Sequence, residues 1–228
     1  MIRAQKIGKS FGPLRALSEL NFEISQGELV ALLGANGAGK TTLLRILAAL
    51  TRPSTGTAEV AGYELSHEPQ QVRKRIGVVS HQTLLYGEMS AQENLHFYGR
   101  MFRVPDLQAR IDDLLGLMEL KKRRHDLVRT FSRGMQQRLS LARAVLHQPN
   151  VLLLDEPFTG LDIHAEDLLT RFIEKAVTDQ VTVLMTVHDL DYALDHAQRL
   201  LVLHKGRLAI DAAAAQTTRH QLVELIRE

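Results

Sequence analysis

The chain has 228 residues, 45% of them hydrophobic, which is enough for a sizeable core in one large domain or two small ones. Its 28 Lys and Arg barely outnumber its 26 Asp and Glu, so the charge balance gives no reason to expect nucleic acid or an anionic membrane surface as partner. The absence of cysteine excludes disulfides and thiolate metal sites and fits a reducing cytoplasm, no N-terminal signal pattern is present, and no apolar run approaches the ~20 residues of a membrane-spanning helix.

Residues 2–25 read as antiparallel strands: Leu20, Phe22 and Ile24 alternate with Asn21, Glu23 and Ser25, and Phe11-Gly12-Pro13 punctuates the run as a turn. Phe11 lies in that turn, where its ring either stacks on a base or packs as an ordinary Phe. Gln26-Gly27 then turns into Leu29–Leu33, an unbroken apolar run expected of a strand buried on both faces. Lys40–Leu50 has helical spacing, with Leu43, Leu44 and Leu47 on one side.

Between that strand and that helix stand Gly34, Ala35, Asn36, Gly37, Ala38, Gly39, Lys40 and Thr41, which match G-x-x-x-x-G-K-[ST] at every fixed position. The glycines allow backbone conformations that turn successive N–H groups toward an anion, and the helix N-terminus adds its positive end. Lys40 is expected to reach the β- and γ-phosphates of a nucleotide, Thr41 to offer its hydroxyl to Mg²⁺, and Thr42 to bond an α-phosphate oxygen.

Farther along, Arg52–Gly56 is a loop, 57–63 returns to the antiparallel layer, and 76–80 is a short strand ending at His81-Gln82. From there to Pro149 the pattern is helical. Ser90 and Glu93 form a capping box ahead of Leu95, Tyr98 and Phe102; Leu107, Ile111, Leu114, Leu115 and Met118 line a second helix; Met135, Leu139, Ala142 and Leu146 line a third from about Arg133 to His147. The apolar run Val151–Leu154 ends in Asp155-Glu156-Pro157, which places two carboxylates at a strand's carboxyl end. That edge is where open α/β sheets bind ligands, so Asp155 can hold Mg²⁺ while Glu156 faces the γ-phosphate; an acidic turn is the plainer alternative. Thr159–Asp162 leads into a helix with Ala165, Leu168, Leu169, Phe172, Ile173 and Ala176 inward, Val181–Val187 is a strand ending at His188-Asp189, and a last strand pair precedes a short terminal helix.

With these pieces in place the whole chain resembles the ATPase subunit of an ATP-binding cassette (ABC) transporter. Gly34–Thr41 matches the Walker A motif and Val151–Glu156 the Walker B motif, with Glu156 at the catalytic glutamate; Phe11 falls at the aromatic A-loop, Gln82 at the Q-loop, Asp162 at the D-loop and His188 at the switch histidine. The signature departs: the usual Leu-Ser-Gly-Gly-Gln is Phe131-Ser132-Arg133-Gly134-Met135, which keeps the Ser132 hydroxyl and the Gly134 backbone N–H as γ-phosphate donors but puts Arg133 and Met135 where the family has Gly and Gln.

The resemblance implies an α/β fold in a single domain over 1–228. Residues 1–82 and 150–228 would form a P-loop NTPase core, a mostly parallel sheet flanked by helices, with an N-terminal antiparallel β layer; 83–149 would be an inserted α-helical subdomain carrying the signature. It also implies ATP and Mg²⁺ as cofactors, with Thr41, Gln82 and Asp155 around the metal. Ser132, Arg133, Gly134 and Asp162 would lie at the interface of a head-to-tail homodimer or heterodimer. Lys40 and Mg²⁺ would spread the phosphate charge, Glu156 would orient or deprotonate the attacking water, and His188 and Gln82 would sense the γ-phosphate. Transmembrane permease subunits would be the partners, with no nucleic acid and no direct insertion, at the cytoplasmic face of the cell membrane. A non-transport ABC ATPase or a nucleotide-dependent regulatory module is the alternative. Ser80–Tyr86 and Glu93–Tyr98 further resemble the haem-exporter ATPases of cytochrome c maturation, although related segments occur in other exporter ATPases.

Overall fold

The computed structural model describes residues 1–80 and 83–227, with the backbone alone for Arg227; His81 and Gln82 lie outside the described residues. Strands β1 (Ile2–Phe11) and β2 (Leu14–Ile24) form a hairpin, followed by β3 (Leu29–Leu33), α1 (Lys40–Leu47), β4 (Thr55–Val60), β5 (Tyr63–Glu64), α2 (Pro69–Arg75) and β6 (Ile76–Val79). Helices α3 (Ala91–Phe102), α4 (Leu107–Leu117) and α5 (Arg133–Val145) come next. The chain then alternates through β7 (Val151–Asp155), α6 (Ile163–Thr178), β8 (Thr182–Thr186) and α7 (Leu190–His196), and finishes with β9 (Arg199–His204), β10 (Arg207–Ala213) and α8 (Arg219–Arg227).

Two sheets result. One is antiparallel with order β2-β1-β4-β5; the other has order β10-β9-β3-β8-β7-β6 and is parallel throughout except for β10, which runs antiparallel to β9. The central strands β3, β7 and β8 are buried at every residue, as the apolar runs Leu29–Leu33, Val151–Leu154 and Val183–Met185 require of parallel strands covered on both faces. Their side chains alternate between two cores. Val30, Leu32, Val151 and Leu153 pack with α1 and the antiparallel layer, among them Ile7, Leu20, Leu43 and Leu47. Leu29, Ala31, Leu33, Leu152 and Leu154 pack on the opposite face with the helices, among them Leu95, Ile111, Leu139, Leu169 and Leu222.

The Ser90 capping box forms as expected, with Ser90 N donating to Glu93 Oε2 at 2.7 Å and Glu93 N donating to Ser90 Oγ at 3.3 Å. Two expected helices end early. The first stops at Leu47, where Ala48 caps it and Ala49 turns to φ 54°; the third stops at Val145, ahead of Gln148 at φ 53° and Pro149. Helices α2 and α7 are not foreseen from the sequence. Each has seven residues and one buried side chain, Val72 and Ala193 respectively, so neither carries an apolar stripe to read.

Candidate active site

The parallel sheet brings three loops to its carboxyl edge. Leu32 of β3 pairs with Thr186 of β8, and Thr186 pairs with Asp155 of β7, so the loop after β3 is two strand spacings, about 10 Å, from the acidic pair. In that loop Gly34, Gly37 and Gly39 take φ values of 145°, 81° and 107°, which side chains resist. At Gly34 a Cβ would also lie 2.3 Å from Leu203 O, and at Gly39 2.5 Å from Leu17 Cδ2, so the turn is closed on its inner side by backbone and core. Helix α1 begins with no side-chain cap and no acidic residue in its first turn, which leaves its positive end for an anion.

Lys40 stands at the start of α1, and its Nζ donates to Gly34 O at 2.6 Å and Ala35 O at 3.1 Å, so the ammonium is folded back over the loop. Burial lowers its pKa from the ordinary 10.5, against the attraction of Glu156 and then Asp155, which favours the charged form. Thr41 is exposed and Thr42 half-buried beside it.

Asp155 is buried, 5% exposed, at the end of β7. The Thr186 hydroxyl donates to its Oδ1 at 2.8 Å and accepts from the Glu156 N–H, also at 2.8 Å. Glu156 follows with φ 51°, a left-handed conformation that strains a residue with a Cβ, and its Oε1 meets His188 Nε2 at 2.6 Å. A cleft of about 350 Å³ opens beside this pair, lined among others by Thr159, Asp189, Tyr192 and His196. The acidic turn and the histidine after β8, 32 residues apart in sequence, are therefore one constellation.

The other expected residues are placed as follows. Phe11 is 51% exposed at the end of β1, with Lys9 Nζ 5.0 Å from its ring centroid, so it is not packed in the core. Ser132 is the exposed N-cap of α5 and accepts from Met135 N at 3.3 Å; Met135 packs partly against the core. Arg133 lies across the loop before α6, where a Cβ on Gly160 would come within 2.9 Å of its Cδ. Asp162 caps α6 by accepting from Ala165 N at 2.9 Å. Gln82 is outside the described residues, but its described flanks are fastened to the helices: Arg143 Nη2 donates to Val78 O at 2.6 Å, Ser140 Oγ to Thr83 O at 3.1 Å, and Tyr98 OH to Leu84 O at 2.5 Å.

Two residues escaped the reading of the sequence. Thr186 carries one signal, a polar residue at the end of an apolar strand. Asn94 carries none, yet it is fully buried and bonds the loop before α3, accepting from Tyr86 N at 2.8 Å and donating to Tyr86 O at 3.0 Å, Met89 O at 3.3 Å and Ser90 O at 3.0 Å.

Residues 17–159 match the profile of the family described as ABC transporter. Among curated relatives, the ABC transporter ATP-binding protein NatA of Bacillus subtilis is 37% identical over 86% of this chain and 80% of its own length. The Nod factor export ATP-binding protein I of Rhizobium johnstonii is 37% identical over 96% of this chain and 69% of its own. The sulfate/thiosulfate import ATP-binding protein CysA of Pectobacterium atrosepticum is 36% identical over 99% of this chain and 70% of its own. Among solved structures, a dimeric ATP-binding cassette in a post-hydrolysis state, bound to ADP and Pi, superposes with a TM-score of 0.86 at 26% identity over 94% of this chain and 99% of that one.

Proposed function

The chain belongs to the ABC transporter family, as an ATP-binding and ATP-hydrolysing subunit, and from that premise we propose that two such subunits bind two ATP molecules head to tail and drive permease subunits in the membrane. The observation that carries the reading is the Glu156–His188 pair at 2.6 Å, set on the same sheet edge as the Lys40 loop. Lys40 and the N-terminus of α1 hold the phosphates, with Thr42 on the α-phosphate. Glu156 orients or deprotonates the attacking water, and His188, with Gln82, responds to the γ-phosphate. Phe11 stacks on the adenine, which its exposed ring permits. Ser132 and Gly134 act on the partner copy's nucleotide, with Arg133 and Asp162 at the interface.

The residues present fit Mg²⁺. Thr41 offers an exposed hydroxyl and Asp155 a buried carboxylate whose Oδ1 is already bonded. No group of three His, Cys, Asp or Glu among the described residues could hold a metal ion, as suits an ion that takes one or two protein oxygens and relies on phosphates and water. Asp155 and Thr41, with Gln82, would hold it, and it would supply charge neutralisation to the phosphates there.

No helix among the described residues is long and apolar enough to cross a membrane, and separate permease subunits are our reading of what supplies the channel. We place the subunit at the cytoplasmic face, docked through the loop before α3. Leu84 and Tyr86 there are each 48% exposed, and Phe97 and Met101 of α3 beside them 42% and 58%, an apolar surface suited to a permease helix. Leu85, between Leu84 and Tyr86, packs against the core instead of joining that surface. Export is the direction we favour, from the likeness to the Nod factor exporter, although an import protein is nearly as similar. Haem is a narrower reading that rests on the Ser80–Tyr86 and Glu93–Tyr98 segments alone.

Mixing tests the head-to-tail site. A Lys40→Ala chain and a Ser132→Arg chain, each inactive alone, should regain ATPase activity together, because their heterodimer has one intact composite site. If the mixture stays inactive and the two chains do not cross-link in ATP, the composite site is wrong.

A further inference from the structure

We propose that Thr186 is a positioning residue for hydrolysis: its single hydroxyl sets both carboxylates of the acidic pair. The inference rests on the reading of Glu156 as the residue that activates water. Thr186 ends β8 directly after the run Val183-Leu184-Met185 and is 0% exposed, so its hydroxyl must find partners within the protein. A hydroxyl has one proton to give and lone pairs to accept with. Here the proton goes to Asp155 Oδ1 at 2.8 Å, and a lone pair receives the Glu156 N–H at 2.8 Å.

Each bond has a separate consequence. The first takes up one oxygen of Asp155 and so fixes the rotation of its carboxylate, leaving Oδ2 for other use. The second anchors the Glu156 backbone at φ 51°, a left-handed conformation that a residue with a Cβ adopts at a cost. From that backbone the Glu156 side chain reaches His188 Nε2 at 2.6 Å. His188 lies two residues beyond Thr186, so one stretch of chain supplies both the acceptor for the Glu156 main chain and the partner for its side chain. Pairing of Asp155 with Thr186 in the parallel register is what brings the hydroxyl there. Thr186 touches neither ATP nor water in this scheme; it acts through the direction of the two carboxylates, and a misplacement on the order of 1 Å costs about 100-fold in rate.

The test compares Thr186→Val, which keeps the shape and removes the hydroxyl, with Thr186→Ser, which keeps the hydroxyl. In Val, kcat for ATP should fall roughly 10–100-fold. The affinity for a fluorescent ATP analogue measured without Mg²⁺ should stay within about twofold, since Lys40 and its loop are untouched. Like a variant blocked in hydrolysis, Val should accumulate as an ATP-bound dimer on a sizing column, and Ser should keep most of the wild-type rate. If Val does not yield folded protein, Thr186→Ala against Ser makes the same comparison, as both lack the methyl group. Wild-type turnover in Val, equal losses in Val and Ser, or loss of nucleotide binding in step with rate would each overturn the proposal. Glu156→Gln measured alongside separates the two readings. An inactive Gln variant beside a fully active Val variant sinks the Thr186 inference alone, whereas an active Gln variant sinks the water-activating role of Glu156 and this inference with it.

Discussion

Replacing Asn94 by Ala should cost about 2–4 kcal/mol of stability, and the number follows from three bonds. The side-chain oxygen accepts from Tyr86 N, and its amide, with two protons, is shared among the carbonyls of Tyr86, Met89 and Ser90, all within 3.3 Å. Each bond contributes about 0.5–1.5 kcal/mol net. For a chain this size, with m near 3 kcal/mol/M in urea, the denaturation midpoint should drop by about 1 M. Asn94→Asp is the informative control. It keeps the acceptor but turns a carboxylate toward three carbonyls, which raises its pKa in the folded state. Between the unfolded and folded pKa values the native state then binds more protons, so the Asp variant should regain stability as pH falls toward 4. A loss below about 0.5 kcal/mol in the Ala variant would show that the loop does not depend on Asn94.

Other consequences are as direct. Phe11→Ala should weaken ATP and GTP alike by about 1–3 kcal/mol, since stacking tolerates any purine; unchanged affinity by titration would return Phe11 to an ordinary surface ring. His147 is held below its ordinary pKa of 6.5 by burial, against its bond to Ile76 O, so above 6.5 its neutral form contributes stability that is lost as pH falls through that value, where the unfolded chain takes up the proton and the folded one does not. His147→Gln should flatten the fall in denaturation free energy between pH 7.5 and 5.5, by at most about 1.4 kcal/mol per pH unit, and parallel curves for the two proteins would refute this. Glu substitutions at Leu84 and Tyr86 should leave folding and ATP binding intact yet abolish co-sedimentation with membranes that hold the permease; persistent co-sedimentation would move the contact elsewhere.

The placement of the glycine loop between β3 and α1, and of the acidic pair at the end of β7, was legible because the signals are local: fixed residues in an eight-residue pattern, and apolar runs that have to be buried strands. Asp155 and Glu156 could be placed at a strand end without knowing which strand lies beside it. Thr186 could not, because its role depends on β8 lying next to β7, a pairing that connects residues 31 positions apart. Asn94 was hidden for a related reason. A polar residue on an amphipathic helix reads as solvent-facing, and only the loop that folds back over α3 buries it. The triplet Leu84-Leu85-Tyr86 was legible as apolar but not as divided into exposed Leu84 and Tyr86 and core-packed Leu85, since the side that each residue presents depends on the way the loop is fastened to α3 and α5. The inserted helical segment was visible as a change of period, whereas the sharing of one continuous core between α5 and the sheet, with Leu139 and Leu141 among Leu152 and Leu154, is a matter of packing.

Glu156, held against His188 on the edge that carries the Lys40 loop, is proposed to activate the water that hydrolyses ATP. Steady-state turnover by Glu156→Gln, with ATP affinity and sizing-column elution measured on the same preparation, tests it most directly. ATP binding should stay close to wild type, turnover should fall by roughly 10²–10⁴-fold, and an ATP-bound dimer should outlast the column run. Hydrolysis near the wild-type rate in that variant would contradict it.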